Sequence, residues 1–318
     1  MGSRVERIPD LVFAHPGGHP LHADLYVPGD RATALPVIVW LHGGGWRFGD
    51  RRTGPNLSRF SAECGFAMVS VEYRLSRQAQ FPSQVEDVKT AIRWIRSVAG
   101  TYGFDATRIG LWGASAGGHL AAMAALSDRG QFESDRSEHA GFSSAVQAVV
   151  AAYAPIDFLR LDEHRDAVGA DTDPESFRLP PGSRAADPTS YESRLLGAPL
   201  PACPDRTRDA NPVRYVTSHA PPFLILHGAT DAAIPPQQSE LLYDALASAG
   251  NDATFCAVAG LGHGFLDRPH LDDEGPRDVT VKRVAGGGLE QRTRGRALIF
   301  PMIERFFQEK LVSSSAAI

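Results

Sequence analysis

Ser115, Asp231 and His263 are the residues of this chain whose types and settings could do chemistry together. A serine hydroxyl is a weak nucleophile until a base takes its proton. A histidine, mostly neutral at physiological pH with an unperturbed pKa of about 6.5, suits that task. A carboxylate on the far ring nitrogen fixes the tautomer and stabilises the imidazolium that forms. Ser115 lies in Gly113-Ala114-Ser115-Ala116-Gly117-Gly118, between a short apolar run and an Ala/Leu-rich helical pattern. A serine flanked by glycines at a strand-to-helix junction can sit on a turn sharp enough to expose its hydroxyl, because the glycines remove side chains that would clash. Asp231 closes His227-Gly228-Ala229-Thr230-Asp231, and His263 sits in Gly260-Leu261-Gly262-His263-Gly264-Phe265. Each of the three follows a stretch that reads as a buried strand, and they come in the order Ser, Asp, His.

With eleven histidines, the base has to be chosen among rivals. His42 and His227 adjoin glycines at strand ends, where a structural hydrogen bond is the expected role, and His119 lies a turn into the helix after Ser115, where it packs or caps. The others occupy polar or turn-rich settings. Asp157 and Asp267 compete with Asp231, which is preferred because Pro235-Pro236 stop regular structure just beyond it; Asp157 reads as a turn residue. The negative oxygen of a tetrahedral intermediate needs donors. Gly43-Gly44-Gly45 can bring bare backbone N–H groups close to a carbonyl, and the N–H of Ala116 can add another. One such donor is worth roughly 10²–10³ in turnover. The triple glycine does not fit a phosphate-binding pattern, so nucleotide binding is not expected. Trp46, Phe48 and Phe265 adjoin these motifs as expected substrate contacts, and the bulk of Trp46 and Phe48 points to short acyl groups.

The elements that must position these residues alternate in type. Eight stretches read as strands, at 11–14, 21–27, 36–41, 66–71, 108–112, 146–153, 222–226 and 253–258. Helical patterns lie between several of them: Val85, Val88, Ile92, Ile95 and Ala99 recur every three or four residues after a capping-box spacing at Ser83–Glu86, with Gly100 as the expected stop. Others run from His119 to Leu126 and from Gln237 to Ala249, with a C-terminal helix marked by Met302, Ile303, Phe306 and Phe307. Strands alternating with helices argue for one mostly parallel sheet covered on both faces, with an antiparallel start. Residues 157–218, rich in Pro, Asp, Arg and Ser, read as an excursion from the core, either a small cap or lid over the site or a loose surface loop. Residues 268–295 read as a second insertion whose 278–294 part can form a hairpin able to reach a neighbouring subunit in a homodimer.

The 318 residues suit a single α/β domain with a sizeable core. A net charge of −5 without a basic run gives no sign of nucleic-acid binding. Cys64, Cys203 and Cys256 form neither a metal-ligand spacing nor a disulfide framework, so no metal is expected and a reducing compartment is. The N-terminus lacks the apolar core of a signal peptide, and no apolar run nears the roughly 20 residues that cross a bilayer, so the expected setting is the cytoplasm.

Taken together, His42–Trp46, Tyr73-Arg74-Leu75, Gly113–Gly118, His227–Asp231 and Gly262–Phe265 resemble the hormone-sensitive-lipase-like esterases, nearest to the bacterial carboxylesterase and feruloyl-esterase-like branch, itself similar to kynurenine formamidases. The resemblance runs from about residue 20 to 265 and on to the last helix near 311. It implies an α/β-hydrolase fold with a mostly parallel eight-stranded sheet. It implies Ser115 as nucleophile, His263 as base, Asp231 as orienting acid and an oxyanion hole from Gly44, Gly45 and Ala116, with no cofactor and a small ester as substrate. An arylformamidase or other amidase would use the same triad, and a non-catalytic receptor on this fold would lack the base. The 157–218 and 268–295 segments depart from the pattern; either could border the site, which bears on substrate preference more than on mechanism.

Overall fold

The continuous apolar runs become strands covered on both sides. In the structure, a computed structural model describing residues 5–29, 33–127, 130–133 and 138–312, Met1 to Arg4 of the N-terminal stretch lie outside the described residues. Strands β1 (Val5–Ala14) and β2 (Leu21–Pro28) pair antiparallel. β3 (Leu35–Leu41) leads through helix α1 (Leu57–Cys64) to β4 (Ala67–Val71), which leads through α2 (Ser83–Ser97) and the short α3 (Ala99–Tyr102) to β5 (Phe104–Ala114). α4 (Ala116–Leu126) connects β5 to β6 (Ala148–Ala152). Between β6 and β7 (Phe223–Gly228) lie α5 (Leu161–Ala167), α6 (Tyr191–Leu196) and α7 (Pro204–Asp209). α8 (Gln237–Ser248) joins β7 to β8 (Ala253–Val258); β9 (Arg277–Val284), β10 (Gln291–Ala297) and α9 (Ile299–Phe307) complete the order.

All strands belong to one sheet, ordered β1-β2-β4-β3-β5-β6-β7-β8-β9-β10. The six from β4 to β8 in that order run parallel, with β2 and β9 joining antiparallel on either side. Strands at the eight expected stretches are present. The sheet reaches ten because the 268–295 segment folds as the β9–β10 hairpin and pairs with β8, setting Val279 beside Val258 and Val284 beside Ala253. This leaves β10 as an exposed edge carrying Arg292, Arg294 and Arg296, charges that discourage edge-to-edge pairing.

Side chains alternate across the sheet, so neighbouring residues enter opposite cores. Val37, Val39 and Leu41 of β3 pack with Val85, Val88 and Ile92 of α2, Leu120 of α4 and Leu242 of α8. Ile38 and Trp40 pack on the other side with Phe60 of α1 and with Ile299, Phe300 and Phe307 of α9. The chain moves from β3 to β4 in one direction and from β4 across β3 to β5 in the other. β3 and β5 therefore flank a topological switch point, where a crevice opens beyond the carboxyl ends of the strands.

The helix at Ser83 differs from the expected cap. Ser83 is its first helical residue, Pro82 takes the N-cap place, and no side chain caps the end. The N–H groups of Val85 and Glu86 bond the carbonyl of Pro82, which leaves Glu86 free to reach Arg74 at 3.4 Å. The stop is also displaced: the helix breaks at Val98, and the left-handed residue that closes the following turn is Gly103 instead of Gly100. Among the described residues no helix is long and apolar enough to cross a membrane.

Residues 157–218 are ordered around short helices and 3-10 turns, with Leu161, Leu195, Leu196 and Leu200 buried in the same core as α2 and α4. Asp157 has the structural role expected, its Oδ1 accepting the N–H of Leu159 at 3.0 Å to start one of these turns.

Candidate active site

Ser115 stands between β5 and α4 with φ 54° and ψ −119°, a backbone conformation that an L-residue holds only under strain of about 1–3 kcal/mol. Glycine is required on either side of it. A Cβ on Gly113 would lie 2.1 Å from the carbonyl oxygen of Gly117, and one on Gly117 would lie 2.1 Å from that of Leu41. The turn is anchored by the Ser115 N–H, which donates to the carbonyl of Ala152 at 2.8 Å. Ser115 is the N-cap of α4, yet its side chain caps nothing. Its Oγ instead lies 2.9 Å from Nε2 of His263.

His263 follows β8, and its Nδ1 is 2.7 Å from Oδ2 of Asp231, which follows β7. The other oxygen of Asp231 accepts the N–H groups of Ala233 at 3.0 Å and Ile234 at 2.8 Å. Burial alone would raise the Asp231 carboxyl, but the charge of His263 and hydrogen bonds from His227 and His263 outweigh it and hold the group well below the usual carboxylate range. It is therefore ionised beside the imidazole, as an orienting acid must be. His227 plays the structural part expected, bonding Ser239 Oγ and the carbonyl of Ile234, each at 2.7 Å. Asp267, the rival acid, makes no side-chain hydrogen bond or ion pair among the described residues and stands on the cavity wall.

The glycine-rich loop after β3 reaches the same crevice. A Cβ on Gly44, which has φ 110°, would come 2.3 Å from the carbonyl oxygen of Phe48, so only glycine fits that turn. Tyr73 braces the loop from below: its hydroxyl donates to the carbonyl of His42 at 2.8 Å, and its ring stacks on the His42 ring at 4.4 Å. His42 in turn lies 2.7 Å from the carbonyl of Gly43. Arg74 is tied to Asp87 of α2 at 2.7 Å. Among the described residues, no protein acceptor takes the N–H groups of Gly44, Gly45 or Ala116. All three residues line the cavity with Ser115, and the Ala116 N–H lies at the positive end of α4.

Around Ser115 and His263 lies a cavity of about 300 Å³. Trp46 and Phe48 line it as expected; Trp46 is buried, whereas Phe48 is 49% exposed and stands at the mouth with Phe177, 46% exposed. Phe265 is placed elsewhere. It is fully buried against Tyr153, ring centroids 4.8 Å apart, in the core beneath the site, and does not line the cavity. It follows His263 by two residues, and the turn through Gly264, φ 88°, sends it inward.

Several lining residues escaped the sequence reading. Tyr153 and Ile234 obey the strand-end rule that brought forward Ser115, Asp231 and His263 and were within its reach: Tyr153 follows β6, and Ile234 follows Asp231. Arg165, Phe177, Leu179, Tyr191 and Glu192 come from the 157–218 segment, where no periodicity marks them. Arg165 bonds the carbonyl of Ala233 at 2.9 Å and pairs with Glu192 at 3.3 Å. Burial raises the Glu192 carboxyl, with the charge of Arg165 opposing. Residues 268–295 contribute no described lining residue. The thiols of Cys64 and Cys256 are pushed up to about 12, chiefly by burial, which suits them as packing residues.

The chain is similar to known proteins. The chain is 32% identical to the esterase LipC of Mycobacterium tuberculosis over 234 residues, covering 72% of this chain and 53% of that protein. It is 33% identical to LipM of the same organism, a probable carboxylic ester hydrolase, over 68% of this chain and 46% of that one. It thus spans about half the length of these curated relatives. Its structure matches a truncated carbohydrate esterase from gut microbiota with a TM-score of 0.68 at 27% identity, covering 86% of this chain and 96% of the other. The architecture is that of the α/β-hydrolases, and since the BD-FAE family model matches residues 23–246, the chain belongs to the BD-FAE family.

Proposed function

We propose that this protein is a cofactor-independent serine carboxylesterase acting on small carboxylic esters. The observation that carries this reading is the contact series from Ser115 Oγ to His263 Nε2 at 2.9 Å and from His263 Nδ1 to Asp231 at 2.7 Å. Ser115 Oγ attacks the ester carbonyl as His263 Nε2 takes its proton. The oxyanion that forms is met by the N–H groups of Gly44, Gly45 and Ala116, and Asp231 stabilises the imidazolium. The intermediate collapses, the alcohol leaves with the proton from Nε2, and Ser115 holds the acyl group. Water, deprotonated by the same nitrogen, then releases the acid.

The preference for small esters rests on size. Ligand cavities run from about 300 to 1,000 Å³, so this one is at the low end, and the buried indole of Trp46 forms part of its wall. Esterase names among the relatives support the reaction class. Three unpaired cysteines support a reducing, cytoplasmic setting. A series of p-nitrophenyl esters of rising acyl length tests the reading, with highest kcat/KM expected for the short members. Ser115→Ala should lower kcat on the order of 10⁶-fold and abolish labelling by a fluorophosphonate. Wild-type turnover in that variant would remove Ser115 as the nucleophile, and faster turnover of long chains would remove the size argument.

A further inference from the structure

His263 is held by residues 171–178, a piece of the segment between β6 and β7. Its backbone N–H donates to Ser176 Oγ at 2.7 Å, and its carbonyl accepts the N–H of Phe177 at 3.1 Å. One residue earlier, the N–H of Gly262 donates to Oδ2 of Asp173 at 2.7 Å, and the same oxygen is paired with Arg268. The approach is close enough that a Cβ on Gly262 would sit 2.2 Å from Ser176 Oγ. Asp171 extends the contact: its Oδ1 accepts the N–H of Asp173 at 3.0 Å and lies 3.5 Å from Thr230 Oγ1, on the residue next to Asp231. Asp173 and Ser176 are both buried. The segment that clasps His263 also supplies Phe177 to the cavity wall, and Leu179 lines it just beyond.

We propose that Asp173 and Ser176 are positioning residues for the catalytic base, so that the segment 171–178 is a fixed part of the proton-transfer apparatus and not a lid that leaves it. The inference rests on the assignment of His263 as base. The side chain of His263 is constrained at Nδ1 by Asp231, but its backbone takes its place from two bonds to this segment and a third one residue away. Shifting the segment would move the imidazole relative to Ser115 Oγ, and an error of about 1 Å between reacting groups costs on the order of 10²-fold in rate. Ester contacts with Phe177 and alignment of the base are thereby linked through a single stretch of chain.

The test uses the full-length protein and Ser176→Ala, Ser176→Thr, Asp173→Asn and Asp173→Ala. Turnover of p-nitrophenyl acetate, thermal unfolding and the downfield proton signal of the His263–Asp231 hydrogen bond are read for each. Ser176→Ala should lose about 10–100-fold in kcat with KM changed little, and its downfield signal should shift or broaden. Ser176→Thr keeps the hydroxyl and should recover most of both, and Asp173→Asn, which retains an oxygen for Gly262, should lose less than Asp173→Ala. A folded Ser176→Ala protein with kcat within twofold and an unaltered signal overturns the proposal. So does a loss confined to KM, or one that follows the melting temperature and is not restored by threonine or asparagine. Failure of a fluorophosphonate to label Ser115 in the unaltered protein would instead overturn the triad itself, whatever these variants do.

Discussion

Replacing Asp231 by asparagine keeps the shape of the side chain, yet the structure offers the new amide no good orientation. One carboxylate oxygen accepts two backbone N–H groups, from Ala233 and Ile234, while the other faces His263 Nδ1 at 2.7 Å and His227 Nε2 at 3.3 Å. If the amide oxygen stays on the backbone donors, the NH₂ points at His263 Nδ1. That nitrogen must then accept, the ring proton moves to Nε2, and it faces Ser115 Oγ where a base is needed. If the amide turns over, its NH₂ meets two N–H groups, and each buried donor left without an acceptor costs about 1–3 kcal/mol. The first orientation is favoured, and it holds the imidazole in the wrong tautomer. The equivalent change in a serine protease lowers turnover about 10⁴-fold, or about 5 kcal/mol of barrier, and a loss of that order is expected here. Initial rates with p-nitrophenyl acetate at saturation, beside thermal unfolding to show that the variant is folded, provide the measurement. A folded variant losing less than about tenfold would refute the reasoning, because His263 would then take its tautomer from some other group.

The remaining expectations are brief. Asp267→Asn, altering a wall residue that bonds neither His263 nor Ser115, should change kcat by less than about tenfold; a loss like that of Asp231→Asn would transfer the acid role to it. Gly117→Ala would drive a Cβ to 2.1 Å from the Leu41 carbonyl, and a clash with backbone should lower stability by about 1–3 kcal/mol or more and abolish activity, both measurable by denaturant titration and assay. His119 is buried beside Trp46 and Phe158, with Nε2 2.7 Å from the carbonyl of Ala210. Burial lowers its pKa from 6.5 to about 4, the hydrogen bond opposing. Between those values the unfolded chain takes up a proton that the folded chain refuses. The associated stability is complete above about pH 6.5 and is lost as the pH falls toward about 4, a change of roughly 3 kcal/mol. His119→Gln can keep the bond to Ala210 and does not titrate there, so its urea midpoint should fall less than wild type between about pH 7.5 and about pH 4.5; equal falls would refute this account.

Much of the architecture was legible in the sequence because burial on both faces of a parallel sheet leaves an unbroken apolar run. Leu35–Leu41, Ala67–Val71 and Phe223–Gly228 are such runs, each buried throughout. The grouping of Ser115, Asp231 and His263 was legible for a related reason: residues at the carboxyl ends of parallel strands, here β5, β7 and β8, meet in one crevice although far apart in the chain. Local signals were weaker. The Ser83 spacing suggested a capping box, but the chain before it turns at Pro82 and leaves Ser83 inside the helix. Phe265 adjoins the motif of His263, yet one left-handed glycine sends its ring into the core.

Sequence alone determined which groups could react and in what order the strands present them, because those properties follow from side-chain chemistry and local burial patterns. Tertiary structure alone decided what encloses them. Arg165, Phe177, Tyr191 and Glu192 reach the cavity, and Asp173 and Ser176 reach the His263 loop, through hydrogen bonds and packing across long separations in the chain. No period or motif records such contacts, since each depends on where the segment 157–218 comes to rest against the loops that follow β7 and β8. The same holds for the β9–β10 hairpin, whose destination at the edge of β8 depended on an unpaired strand that only the assembled sheet provides.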